Sequence, residues 1–409
     1  MRLSLLVILI NIVSSTYSQK QSIAEKSIWR AEIKRNDGNN IAFNFEKVTQ
    51  NNKTVLYIKN AAERLLVDSV QFKGDSVFIK MPLFESEFRA EVSAEKWEGI
   101  WVKGTSRKEQ VLPFTAEKSN SRFMLTDGPA KVNVSGRWSV KFSSEKSKEA
   151  VSIAEFNNRG NILTGTFITP TGDDRFLEGV VTGNKLKMSG FDGGHAILFV
   201  AEVIDDQKIV NGHLYSGATS VEEWSAVKNP KAKVKPDESA MYLRKGESHL
   251  NFQFPDLNKN LVSIGDERFK NKVVIIQLMG SWCPNCMDET QFLSEYYNKN
   301  KERGVEVIAL AYEYSSNFER SQKSLQKFQQ RFQVKYPLLI TGVTVSDSLR
   351  TEKTLPELTP IKVFPSSIIL DKQGKVRKLD NGFYGPGTGE HFIAYKKEFY
   401  KTIDELLAE

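Results

Sequence analysis

The sequence predicts a multidomain protein: an N-terminal all-β region, built as tandem barrel or sandwich units, followed by a C-terminal α/β domain. Three observations carry this. The chain has 409 residues, room for two to three domains at roughly 150 residues each. Short strand-like runs separated by glycine turns fill residues 20–228, whereas beyond residue 250 apolar runs alternate with helical periodicity. The composition is that of a globular protein, 40% hydrophobic and 26% charged, which argues against disorder, collagen and coiled coil.

The first element is Met1-Arg2 followed by an apolar run from Leu3 to Val13 and the small, polar stretch Ser14-Ser15-Thr16-Tyr17-Ser18. That order is the pattern of a secretory signal, expected over 1–18 with cleavage after Ser18. The run is shorter than the ~20 residues a membrane span needs. Its removal takes away one arginine and lowers the net charge from +7 to +6. Lys and Arg are scattered, without a dense basic run interleaved with aromatics, so no nucleic-acid partner is expected. Export across the inner membrane, with a periplasmic location, places the chain in an oxidising compartment where paired thiols matter.

Residues 19–130 and 131–228 read as two β-rich units. Strand-like runs such as Ile41-Ala42-Phe43-Asn44-Phe45 and Ala196-Ile197-Leu198-Phe199-Val200 are set off by turns such as Asn36-Asp37-Gly38 and Thr182-Gly183-Asn184. The units can be laid on each other. Trp29 falls on Trp138, Lys80-Met81 on Lys187-Met188, Ala90-Glu91-Val92 on Ala201-Glu202-Val203, and Gly99 on Gly212. The offset drifts between 107 and 113, as small loop insertions would make it, so unit 2 is read as a duplicate of unit 1. Trp29 and Trp138 are expected to plug the ends of their units, with a ligand cavity inside either unit as the alternative. Gly136-Arg137-Trp138 resembles the strand start of lipocalin-like barrels. Residues 229–249, charged and proline-containing, read as an exposed linker.

The α/β domain is expected over 250–409. Buried-type strands are predicted at 273–279 and 305–311, with a helix at 283–298 between them and a second at 318–332. A third strand at 366–371 leads through the hairpin turn Lys372-Gln373-Gly374-Lys375 into 376–379. Phe392, Tyr395, Phe399, Ile403 and Leu406 share one face of a final helix. Such alternation implies a central sheet sandwiched by helices.

Both cysteines lie in Gly280-Ser281-Trp282-Cys283-Pro284-Asn285-Cys286, after a strand and at the start of a helix. A helix start gathers unpaired N–H groups and the positive end of the dipole, which stabilise a thiolate. Cys-x-x-Cys thiols so placed fall from ~8.5 to as low as ~3.5–7.5. Pro284 suits the first helical position, having no N–H to lose. Cys283, at an exposed helix tip, is the candidate nucleophile, and Cys286, one turn inside, the resolving thiol. A zinc site would need two of His195, His213, His249 and His391, none of them suitably spaced. A structural disulfide over so short a loop removes little chain entropy. Redox exchange needing neither metal nor cofactor remains.

Residues 250–409 resemble the thioredoxin fold, and within it the TlpA/ResA family of exported thiol–disulfide oxidoreductases. The motifs are Phe254-Pro255-Asp256-Leu257, the strand plus Trp-Cys-Pro-Asn-Cys, and Val363-Phe364-Pro365-Ser366-Ser367-Ile368. The resemblance implies that Pro365 is cis and, with Phe364, Trp282, Pro284 and Asn285, faces substrate. It implies a proton-relay role for Glu289, three residues after Cys286, while Gln277 stands where thioredoxin carries a buried Asp. It implies disulfide-bearing protein substrates, reduction in preference to oxidation, and a membrane electron donor of the DsbD type. A thiol peroxidase is the rival, though the Pro-x-x-x-Thr-x-x-Cys signature of peroxiredoxins is absent. A second rival makes the β region a binding module with an accessory redox domain. In the main reading the β region recruits substrate or mediates self-association.

Overall fold

The computed structural model describes residues 25–409 except 52, 106–107, 146, 148 and 236–239. The signal expected at 1–18 lies outside the described residues. In unit 1, nine strands run as an antiparallel meander from Glu25–Ile33 to Gln110–Lys118. The first strand pairs with both the second and the ninth, so the sheet curls on itself. Its edges are the consecutive strands Glu63–Val67 and Ser69–Lys73. Alternation along Glu25–Ile33 sends Trp29, Ala31 and Ile33 inward, as a period of two requires. The interior is filled by aromatics, with Phe88 against Phe114 at 4.5 Å and Trp29 against Trp97 at 5.0 Å. The void among these side chains is about 10 Å³, at the limit for a single water. A ligand cavity within unit 1, held open by the sequence, is therefore corrected: large rings occupy the space.

Unit 2 closes completely. Eight strands pair in a ring, with Gly136–Phe142 joining Ser152–Arg159 on one side and Ser220–Lys228 on the other. Closure removes exposed strand edges. A short ninth strand, Gly172–Asp173, is added to the end of Ile162–Thr169. Phe167 lies at the core, stacked on Phe199 at 4.0 Å and edge-on to Trp224 at 5.0 Å. The aligned residues occupy corresponding strands. Trp29 and Trp138 lie on the first strand of each unit, opposite Lys118 and Lys228 on the last. Ala90 and Ala201 lie on the seventh, Gly99 and Gly212 on the eighth. The aligned residues thus sit on strands of the same rank in the two units.

The units interlock. Phe191 of unit 2 stacks on Phe43 of unit 1 at 4.3 Å, and its backbone exchanges hydrogen bonds with the Asn60 amide. Buried Arg122 donates to the Ser189 carbonyl at 2.8 Å. The connector after unit 2 is largely exposed, as its charge implied, but it is anchored to the domains on either side. Ala232 and Met241 are buried, Lys235 N–H donates to the Val151 carbonyl, and Met241 N–H donates to the Asn381 side chain. Its few apolar residues anchor it at both ends while its lysines remain in solvent.

The C-terminal sheet has the order Leu338–Ile340, Val305–Ala311, Val273–Met279, Ser366–Leu370, Val376–Asn381. The first three strands are parallel and the last two antiparallel. Val273–Met279 is buried throughout, which explains its unbroken apolar run. Val273, Ile275 and Met279 join the core beneath the helices Pro284–Asn300, Phe318–Phe332 and Glu390–Ala408. Val274, Ile276 and Leu278 face a second core closed by Met241, Leu250, Phe252 and Leu355–Ile361 side chains. Helices thus dominate one face, and the other is covered largely by irregular chain. Truncating Phe167 to Ala should cost roughly 3–5 kcal/mol, read as a lower denaturant midpoint followed by tryptophan fluorescence.

Candidate active site

The strand Val273–Met279 delivers the chain to Gly280, where a β-carbon would fall 2.2 Å from the Trp282 indole nitrogen. Only glycine lets the ring fold back. The Trp282 N–H donates to the Tyr312 carbonyl at 2.8 Å, and its ring lies 5.5 Å from Tyr314 and 5.8 Å from Phe364. Cys283 then caps the helix Pro284–Asn300, with Pro284 at its first position. Cys283 and Cys286 form a disulfide, their Cα atoms 5.2 Å apart, within the usual ~4.4–6.8 Å. The Cys286 N–H donates to the Cys283 Sγ at 3.2 Å. In the reduced state that amide and the helix dipole would stabilise a thiolate.

The structure corrects the expected exposure of Cys283. The residue is at the helix tip, but only 3% of its surface is accessible, and Cys286 is wholly buried. Cys286 flanks the Cys283 sulfur on one side and the Phe364 carbonyl oxygen lies 3.4 Å away. The Phe364–Pro365 peptide is cis; Pro365 is buried and Phe364 half-buried. Trp282, Phe364 and Pro365 are thus gathered at the cysteine pair. Pro284 and Asn285 face a different surface, described below.

Glu289 is fully buried one turn inside Cys286. Gln277 donates to its Oε2 at 2.8 Å and Ser367 donates to its Oε1. Burial pushes its carboxyl up to about 7, partly offset by these hydrogen bonds. Gln277 therefore occupies a buried place beside the helix as a fixed donor to this carboxyl. A second carboxyl escaped the sequence reading. Glu313 accepts from the Ser281 N–H at 2.8 Å and from its hydroxyl at 2.6 Å, and burial raises it to about 7 as well. Its signal was a carboxylate two residues beyond the buried strand Val305–Ala311, at the sheet end where the cysteine motif lies.

Residues of unit 2 were also missed. Asp173 accepts from the Asn285 side-chain amide at 3.2 Å and from the Gly385 N–H at 2.7 Å. Arg175 grips Asp288 with two hydrogen bonds of 2.7 and 2.8 Å and reaches Glu63 of unit 1 at 2.7 Å. Burial drives the Asp173 carboxyl up to about 7. No local pattern marks these residues, because their partners lie more than 100 positions away.

Comparison with known proteins places residues 244–390 within the Redoxin family model. Two ResA thiol–disulfide oxidoreductases are similar. One, from Bacillus thuringiensis subsp. konkukian (strain 97-27), is 30% identical over 131 residues, 32% of this chain and 66% of the relative. The other, from Halalkalibacterium halodurans (strain C-125), is 26% identical over 140 residues, 34% of this chain and 69% of the relative. The chain thus spans just under two thirds of the length of the first. A solved thiol–disulfide oxidoreductase from Bacteroides fragilis NCTC 9343 is 20% identical, with 37% of this chain and 99% of that one covered and a TM-score of 0.28. The Redoxin match is confined to residues 244–390, and the β region lies outside it.

The buried carboxyls give a signed pH dependence. Glu289 holds its proton to about 7 in the folded chain but releases it near ~4.3 when unfolded. Between those values the folded state binds the extra proton, so the contribution of Glu289 to stability falls as pH rises. Glu289→Gln should gain stability relative to the parent chain across that window, by ~1.4 kcal/mol per pH unit. Denaturant midpoints at both ends of the window check it.

Proposed function

We propose that this chain is an exported thiol–disulfide oxidoreductase that reduces disulfides of substrate proteins. The observation that carries the reading is the Cys286 amide directed at the Cys283 sulfur on a helix N-terminus, with the Phe364–Pro365 loop against it. Similarity to the ResA enzymes supports it. In the reduced enzyme the Cys283 thiolate attacks one sulfur of a substrate disulfide. The substrate S–S bond breaks, a mixed disulfide forms, and the leaving thiolate takes a proton. Cys286 gives up its proton, attacks Cys283 Sγ and expels the second substrate thiolate. Two electrons and two protons pass to the substrate and the Cys283–Cys286 disulfide remains. Glu289, with a carboxyl near neutrality, is suited to take the Cys286 proton. Trp282, Phe364 and Pro365 would hold the substrate chain.

Return to the dithiol needs an external reductant, for which a membrane dithiol donor of the DsbD type fits a periplasmic enzyme. No helix among the described residues is long and apolar enough to cross a membrane.

Four measurements test this. The reduction potential of the pair, equilibrated against glutathione, should lie near ~−270 mV for a reductase, and a value near ~−120 mV would make the protein an oxidant. Cys286→Ala should accumulate mixed disulfides through Cys283 and thereby identify substrates. Cys283→Ser should lower disulfide turnover by at least ~10³-fold. Peroxide consumption outpacing disulfide turnover in the parent chain would support the peroxidase instead.

A further inference from the structure

The contact between unit 2 and the redox motif has the features of a built site rather than a chance domain contact. The hairpin 169–175 projects from the closed barrel and ends in Asp173 and Arg175, both buried. Each holds a different residue of the first turns of the cysteine helix: Asp173 holds Asn285, and Arg175 holds Asp288. Asp173 also fixes Gly385, in the loop beside the helix. The fit leaves no space for larger residues. A β-carbon on Gly387 would lie 2.5 Å from the Arg175 carbonyl oxygen, and one on Gly382 equally close to that of Thr171.

The Pro284–Asn285 side of the motif is consequently only partly exposed. It forms one wall of a cavity of about 230 Å³ shared with Glu63 and with Asp174, Phe191 and His195 of unit 2. That is below the ~300–1,000 Å³ of small-molecule pockets. Away from that cavity, Cys283 is bordered by the Phe364 carbonyl, with the Trp282 and Phe364 rings beside it.

We propose that the hairpin 169–175 is a specificity element of the redox site. It positions the Cys-Pro-Asn-Cys turn through Asn285 and Asp288 and covers part of its Pro284–Asn285 side. The disulfide that reaches Cys283 must then be sterically unencumbered, carried on an extended chain segment and not on a folded surface. Asp173 and Arg175 are positioning residues, since they act through the helix and touch no reacting sulfur. The inference rests on the thiol–disulfide reading above and adds to it the class of substrate.

The test uses the full chain. Its kcat/KM is measured on a disulfide joining two unstructured peptides and on native insulin, each normalised to the rate of dithiothreitol on the same substrate. The parent chain should favour the peptide by at least about tenfold. Gly387→Ala, which pushes the hairpin outward without changing charge, and Asp173→Asn, which keeps its size, should narrow that preference to about threefold or less. Above about pH 7, where the Asp173 carboxyl is ionised, Asp173→Asn should also make the pair more oxidising, because a negative group leaves the helix N-terminus. A threefold change in the equilibrium constant with glutathione is about 14 mV. If the parent chain treats both substrates alike, or if the variants alter neither preference nor potential, the hairpin is no specificity element. Should a variant fail to fold, the parent chain's own preference decides. A parent chain inert toward both disulfides defeats the thiol–disulfide reading itself, which separates the two failures.

Discussion

The Cys286 amide directed at the Cys283 sulfur, on the first turn of the helix Pro284–Asn300, is the interaction to which the other features of the site refer. A helix end concentrates unpaired N–H donors and about half a positive charge, and here the sulfur itself is the cap. For that geometry to hold, the strand Val273–Met279 must stop at Gly280, the Trp282 ring must fold back over it, and proline must open the helix. The sheet provides a rigid base for the turn because its central strand is buried on both faces.

Around this sulfur pair the domain places carboxyls where water cannot reach them. Glu289 and Glu313 flank the motif from its own helix and from the end of the neighbouring strand. Each is satisfied by hydrogen bonds and each is raised toward neutrality by burial. Gln277 cannot act as a base, but it orients Glu289 by donating to it.

The β region is part of the same assembly. Unit 2 closes on itself, locks into unit 1 through Phe191, Asn60 and Arg122, and places one hairpin against the cysteine helix. Unit 1 reaches the redox domain independently, with Glu85 held by Arg320 at 2.6 Å. The interior of unit 1 is filled by rings.

Local order was readable from residue order alone. The strand 273–279, the helix 318–332 and the glycine-punctuated β runs are expressed in periodicity, and the cysteine motif in contiguous residues, because each depends on neighbours within a few positions. Tertiary structure decided what depends on distant partners. Cys283 was expected at an exposed tip and is nearly covered, because chain more than 80 positions away lies against it. The charged connector proved to be anchored, because Ala232 and Met241 found apolar surfaces that no local pattern announces. Glu313, Asp173 and Arg175 became part of the site only when the sheet and the barrel brought them there. A sequence records the periodicity and chemistry of each element; which elements touch is set by how their apolar faces are buried together, and that is a property of the whole chain.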